Sequence, residues 1–160
     1  MKTLMYKPNM TLHLRVRESA ATKEKLQVSC PKDMGKHLGW LATSPEEKFV
    51  AIHLNAKQEI IGIHQVSHGT LSASLVHPRE VFKAALLANS YSIIVAHNHP
   101  SGAILEPSRE DLGTTRQLLK AGKILGVALV DHLILNPFQA IYSIRENHHR
   151  IWDDPFGGLS

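Results

Sequence analysis

The chain has 160 residues, one domain's worth and enough to bury a core. Hydrophobic residues make up 43% and charged residues 20%, with a formal net charge of +4, which excludes a disordered chain and fits a soluble globular one. A single cysteine, Cys30, excludes an intramolecular disulfide and a cysteine-built zinc cluster, and is read as a buried structural thiol.

Residues 1–30 are mixed and polar and are assigned to an N-terminal arm or edge strand, with some alternation over 11–16. The domain proper is expected over 31–145 and a C-terminal tail over 146–160. A helix is predicted over 31–42: Ser29 can cap it, Pro31 suits the first turn, and Met34, Leu38 and Leu41 fall on one face. Ser44-Pro45 breaks it. Strands are predicted over 49–54 and 60–66 at hairpin spacing, with a further short strand around 71–76. Pro78 opens a helix whose apolar stripe is Val81, Phe82, Ala85 and Leu86, stopping at Asn89. Residues 91–96 are apolar on both faces, the pattern of a strand central in its sheet. This strand runs into His97-Asn98-His99-Pro100-Ser101-Gly102, where Pro100 and Gly102 shape a turn. After a loop over 102–107, Ser108 starts a helix predicted to reach Ala121, with Gly122 and Gly126 at its exit. Strands over 127–135 and 140–144 close the domain around a turn at Asn136-Pro137. The tail is expected to be irregular, with Ile151, Trp152 and Phe156 able to dock onto the core. Strands alternating with helices, together with hairpins, give an α/β fold with a mixed sheet.

Histidine is the unusual count, at eleven. His13, His37, His53, His64, His68, His148 and His149 read as satisfied core or surface residues. His97 and His99 differ. Two apart in an extended segment, they point the same way at the end of a buried strand, so both imidazoles can converge on one ion. Asp111 lies one turn into the next helix and can aim back at that strand end. Two histidines, a carboxylate and an open position for water make a catalytic zinc shell. Ser108 and Asp111 also fit a capping-box-like pattern, serine at the N-cap and an acidic residue at N3, and the two readings coexist.

These residues resemble a known motif. HNHPSG at 97–102, followed by a short loop and PSRED at 107–111, is similar to the JAMM (MPN-type) metalloprotease motif, and more closely to the RadC family of bacterial proteins. The segments 49–55, 69–86 and 131–135 follow that family's pattern in order, so the resemblance covers about residues 44–145. It implies a JAB/MPN fold: a mixed, curved β-sheet flanked by helices, similar to that of cytidine deaminases. It implies zinc on His97, His99 and Asp111, with Ser108 assisting the tetrahedral intermediate. It also implies an upstream glutamate as general base, for which Glu47 is the candidate and Glu46 its rival.

The expected activity is hydrolysis of a peptide or isopeptide bond by zinc-activated water, with a peptide or protein as substrate. Asn98 faces away from its neighbours and is expected to tie down the loop. Two departures stand out. Eight residues separate His99 from Ser108 where the family has seven, which leaves Glu106 or Glu110 open as substitute carboxylates. The helix-hairpin-helix region common in the family does not fit into the residues before position 44, which removes the most DNA-like part.

The alternative is a nucleic-acid-associated accessory protein, carrying the family's DNA-repair label, with a structural or vestigial metal. The sequence pI of about 9.3 supports it, and the lack of an arginine or lysine block weakens it. A zinc nucleobase deaminase would need a Pro-Cys-x-x-Cys element, and one cysteine excludes that. The helical HExxH zincin motif is absent. No stretch suits a membrane span or a signal peptide, so a cytoplasmic protein is expected. The oligomeric state is left open.

Overall fold

A computed structural model describes residues 27–30, 33–34, 37–68, 76–102, 105–138 and 140–155. Ten elements are described: α1 (Gly39–Ala42), β1 (Lys48–Leu54), β2 (Ile60–His68), α2 (Pro78–Leu87), β3 (Ser92–Asn98), α3 (Arg109–Leu125), β4 (Ala128–Leu135), β5 (Ile141–Ser143), α4 (Ile144–Asn147) and α5 (Arg150–Asp153). The strands form one five-stranded sheet in the order β2-β1-β3-β4-β5. β3 is parallel to β4, and the pairs β1/β2, β1/β3 and β4/β5 are antiparallel, so the sheet is mixed.

The parallel pair dictates a helical crossover, which α3 supplies. Every residue of β3 is buried. This agrees with its run of apolar residues and places it at the centre of the sheet. Strand parity then sorts side chains into two cores. Phe49, Ala51, Ile93 and Val95 pack with Val81 and Phe82 of α2 and Leu118 of α3. Val50, Ile52, Ile94 and Ala96 pack on the other face with Met34, Leu38 and Leu41. Each strand thus covers both faces, and the sheet is the middle of three layers.

α3 begins with the expected capping box: Asp111 N–H donates to Ser108 Oγ, and the Ser108 N–H donates to the Asp111 carboxylate. It runs four residues beyond the predicted end at Ala121, through Gly122, and stops at Gly126, which has φ +71°. Gly122 is interior because nothing larger fits: a Cβ there would lie 2.4 Å from the Val127 carbonyl oxygen and 3.2 Å from Phe82 Cζ.

Of the helix predicted over 31–42, α1 is the longest described run. The end near residue 29 is organised in the reverse sense, since Ser29 N–H and Cys30 N–H both donate to Asp33 Oδ2. Cys30 is exposed, so the expectation of a buried thiol is corrected. It sits near the Gln27–Glu59 bridge that ties the end of the expected arm to the sheet, and is itself in neither core. The alternating residues 11–16 and most of the strand expected around 71–76 lie outside the described residues.

The tail is more regular than expected. Ser143 Oγ caps α4 by accepting from Glu146 N–H, Ile151 of α5 enters the core, and Trp152 Nε1 donates to the Leu129 carbonyl. Phe156 lies outside the described residues. No described helix is long and apolar enough to cross a membrane.

Candidate metal centre

The site forms where β3 ends. His97 is its penultimate residue, and the His99 N–H donates to the Leu135 carbonyl, so the chain stays extended through both histidines. Parity therefore puts both imidazoles on the α3 side, where their Nε2 atoms lie 3.0 Å apart. The chain then turns: the Gly102 N–H donates to the His99 carbonyl, and Gly102 takes φ +68°.

Asp111 arrives from the first turn of α3. Its Oδ1 lies 3.3 Å from His97 Nε2, and its Oδ2 lies 4.0 Å from His99 Nε2. Ser108 holds Oδ2 with two bonds, from its N–H at 2.8 Å and its hydroxyl at 2.7 Å. The extra loop residue after His99 therefore does not keep Asp111 away from the histidines. Glu106 and Glu110 are exposed, whereas Asp111 is buried.

Glu47 comes from the segment before β1. β1 and β3 pair antiparallel with Phe49 opposite His97, so the register carried two residues further brings Glu47 opposite His99. Glu47, His97 and His99 each offer a ligand atom within 4.8 Å of the others, and the three can hold a metal ion. Glu46, the rival, is exposed. Burial pushes the Glu47 carboxyl above the ordinary carboxylate range, an effect that nearby His99 opposes and Asp111 reinforces.

The donor set also fits a small cation. Ligand atoms 2.0–2.1 Å from a tetrahedral ion lie about 3.3 Å from one another. The 3.0 Å between the two Nε2 atoms and the 3.3 Å from His97 Nε2 to Asp111 Oδ1 are close to that edge, and His99 Nε2 lies 4.0 Å from the other carboxylate oxygen, Oδ2. Two imidazole nitrogens facing each other beside a carboxylate need a proton or a cation between them. Burial drives His97 toward the neutral form, with Asp111 opposing and His99 adding to the effect. A neutral imidazole is the form that ligates.

Three residues that the sequence reading passed over complete the surroundings. His97 Nδ1 lies 2.9 Å from Nε2 of His132 in β4, and His132 Nδ1 lies 2.7 Å from the Thr115 hydroxyl of α3. Burial holds His132 well below the ordinary histidine range, and the two site histidines add to this. Phe49 walls the pair, stacked on His97 at 6.0 Å and edge-on to His132 at 5.4 Å. A polar Asp131-His132 pair inside an otherwise apolar strand was the available signal. The contact with His97 bridges 35 positions and has no local trace in the sequence.

Asn98 was expected to tie down its own loop. It instead grips the segment carrying Glu47. Its Oδ1 accepts from Lys48 N–H at 2.8 Å, and its Nδ2 donates to the carbonyls of Ser44 at 3.1 Å and Glu46 at 3.0 Å.

The comparisons with known proteins agree with this architecture. The family model of the RadC-like JAB domain matches residues 28–149. The chain is 46% identical over 125 residues to a UPF0758 protein of Symbiobacterium thermophilum, covering 78% of this chain and 53% of that one. It is 44% identical over 137 residues to a UPF0758 protein of Clostridioides difficile, covering 85% and 57%. A UPF0758 protein of Geobacillus kaustophilus is 41% identical over 138 residues, covering 86% and 60%. The chain thus spans between about half and three fifths of these relatives' length. With a mixed sheet of the JAB/MPN kind and a family match over most of its length, the chain belongs to the RadC family through its JAB domain.

Proposed function

We propose that the chain is a zinc-dependent hydrolase of the JAMM type that cleaves a peptide or isopeptide bond. The observation that carries this reading is the convergence of His97 Nε2, His99 Nε2 and the Asp111 carboxylate, with the Glu47 carboxylate beside the histidines. His97, His99 and Asp111 would hold the ion. Two nitrogens and a carboxylate oxygen, with no thiolate, are a donor set that suits zinc in its open, catalytic form. Bound there, zinc supplies Lewis-acid chemistry and lowers the pKa of water from 15.7 to about 7.

The chain's own groups do the rest. Glu47 is partly buried and carries a raised pKa, which suits a base that takes a proton near neutral pH and returns it to a leaving amine. Ser108 keeps Asp111 aimed through its two bonds to Oδ2. The Ser108 hydroxyl would also be the group to donate toward an oxygen on which charge develops, as the family resemblance implies. Phe49 and the buried edge of β3 exclude water from behind the histidines.

Elemental analysis of the purified protein, paired with digestion of a peptide and isopeptide library, tests the reading. Wild type is expected to carry one zinc per chain and to cut. His99→Ala is expected to lose the metal. Glu47→Gln is expected to keep it and lose turnover. Full zinc retention in His99→Ala, or a wild-type rate in Glu47→Gln, would overturn the assignment.

A further inference from the structure

A chain of hydrogen bonds behind the histidines fixes the proton positions of Thr115, His132 and His97. It starts at the Asp111 backbone carbonyl, which can only accept. Thr115 Oγ lies 2.7 Å from it, so the hydroxyl donates there. A hydroxyl has one proton, so toward His132 Nδ1, 2.7 Å away, Thr115 Oγ accepts. His132 therefore carries its proton on Nδ1. It is fully buried and neutral, which leaves a lone pair on Nε2. That lone pair faces His97 Nδ1 at 2.9 Å, and two nitrogens at hydrogen-bond distance need one proton between them. His97 supplies it from Nδ1, and its own lone pair is then on Nε2. This atom faces the proposed metal position: it lies 3.3 Å from Asp111 Oδ1 and 3.0 Å from His99 Nε2, and in the metal-free protein the proton between the two Nε2 atoms comes from His99.

We infer that Thr115 and His132 are positioning residues for the metal centre: Thr115 Oγ locks the tautomer of His132, and His132 Nε2 locks His97 with its Nε2 lone pair presented to the ion. The inference rests on the metal-site reading above and says how that site is kept ready. A metal-bound histidine commonly gives its other N–H to a carboxylate or a carbonyl. Here the acceptor is a neutral imidazole, which orients the ring without adding charge behind the site. The path also ties together the three elements that build the centre, β3, β4 and α3.

Nitrogen-15 NMR of the metal-free protein, with labelled histidine, reads the tautomers directly. His97 and His132 are both expected as the Nδ1–H form, the minor form of a free imidazole in water. Thr115→Val keeps the shape and removes the acceptor. It leaves a buried Nδ1–H of His132 without a partner, so both rings are expected to move toward Nε2–H, which places a proton where the metal binds. Zinc affinity, measured by competition with a chelating dye, is expected to fall about 10- to 100-fold in Thr115→Val. Thr115→Ser, which restores a hydroxyl, is expected to return both readouts to within about threefold of wild type, a rescue that a packing role for the threonine methyl would not give.

An Nε2–H form of His97 in the wild-type protein would overturn the inference without using any variant. Unchanged tautomers and affinity in Thr115→Val would overturn it as well. A wild-type protein that shows the Nδ1–H pair yet takes up no zinc would support the relay and defeat the hydrolase reading, so the two failures are distinguishable.

Discussion

Asn98→Ala is the sharpest single perturbation of this architecture. The side chain is 0% exposed and makes three hydrogen bonds, all to backbone groups of the segment 44–48. Alanine leaves the Lys48 N–H and the carbonyls of Ser44 and Glu46 without that partner. At about 1 kcal/mol for each bond, the loss is about 3 kcal/mol. Urea unfolding followed by circular dichroism measures it. With a slope of about 2 kcal/mol/M, the midpoint falls by about 1.5 M. Asn98→Asp sharpens the test, because it keeps the acceptor for Lys48 N–H but turns an oxygen toward both carbonyls. A loss at least as large is expected. The second readout is functional. Glu47 lies between two of the gripped positions, so release of the segment is expected to cost turnover while zinc stays bound. A midpoint within about 0.5 M of wild type, for a loss below about 1 kcal/mol, would refute the clamp. A full midpoint shift with an unchanged rate would confine Asn98 to stability.

Gly122→Ala is expected to destabilise by about 2 kcal/mol by urea unfolding: overpacking against the Val127 carbonyl, 2.4 Å from the new Cβ, outweighs the helix-propensity gain of about 1 kcal/mol. A variant as stable as wild type would show that the end of α3 can shift freely. His53 contributes to acid stability. Burial, with repulsion from His64 adding to it, lowers its pKa from 6.5 to about 4, so between those values the unfolded chain binds the extra proton and stability falls as pH drops. At about 1.4 kcal/mol per pH unit, the ceiling is about 3 kcal/mol, and equal pH slopes for wild type and His53→Gln in thermal melts would remove His53 from the account. Ser108→Ala removes a helix cap, worth about 1 kcal/mol, and is expected to weaken zinc binding because Asp111 Oδ2 loses its 2.7 Å bond. Unchanged affinity would show that the backbone N–H of Ser108 alone aims the carboxylate.

What was legible in the sequence was local. The strand before His97 was legible because a run apolar on both faces has few other uses. The convergence of His97 with His99 followed from a two-residue period, and the start of α3 from a serine three places before an acid. Helix length was not legible at Gly122, because the reason for that glycine is a carbonyl five residues ahead and a phenylalanine ring in α2. Thr115 and His132 received no reading of their own: the first lay inside a predicted helix, the second inside a segment that follows the family's pattern. Their joint role depends on β4 lying parallel to β3 with α3 across both, which no window of the sequence contains. Cys30 was misread because burial was inferred from residue type alone. The segment around it reaches the core through Val28 and the sheet through the Gln27–Glu59 bridge, while Cys30 itself faces outward.

Strand parity explains how one short segment can serve both the metal centre and its supports. His97 faces α3, and Asn98 faces the other side, where it reaches back to the residues flanking Glu47. The β1/β3 register of Phe49 opposite His97 connects the two functions: it puts the Phe49 ring against the imidazole and brings Glu47 opposite His99. A slip of one residue between these strands would exchange the faces. It would bury His97 among Val50, Ile52 and Ala96, away from Asp111 and His132, and would strip the backbone of 44–48 of its partner. The core resists that slip on its own account, since Val50, Ala51, Ile52 and Val95 are each 0% exposed and pack to different sides. Burial of the sheet on both faces therefore positions the candidate metal site as firmly as it specifies the fold. The two histidines need only occupy the positions where the central strand leaves the core.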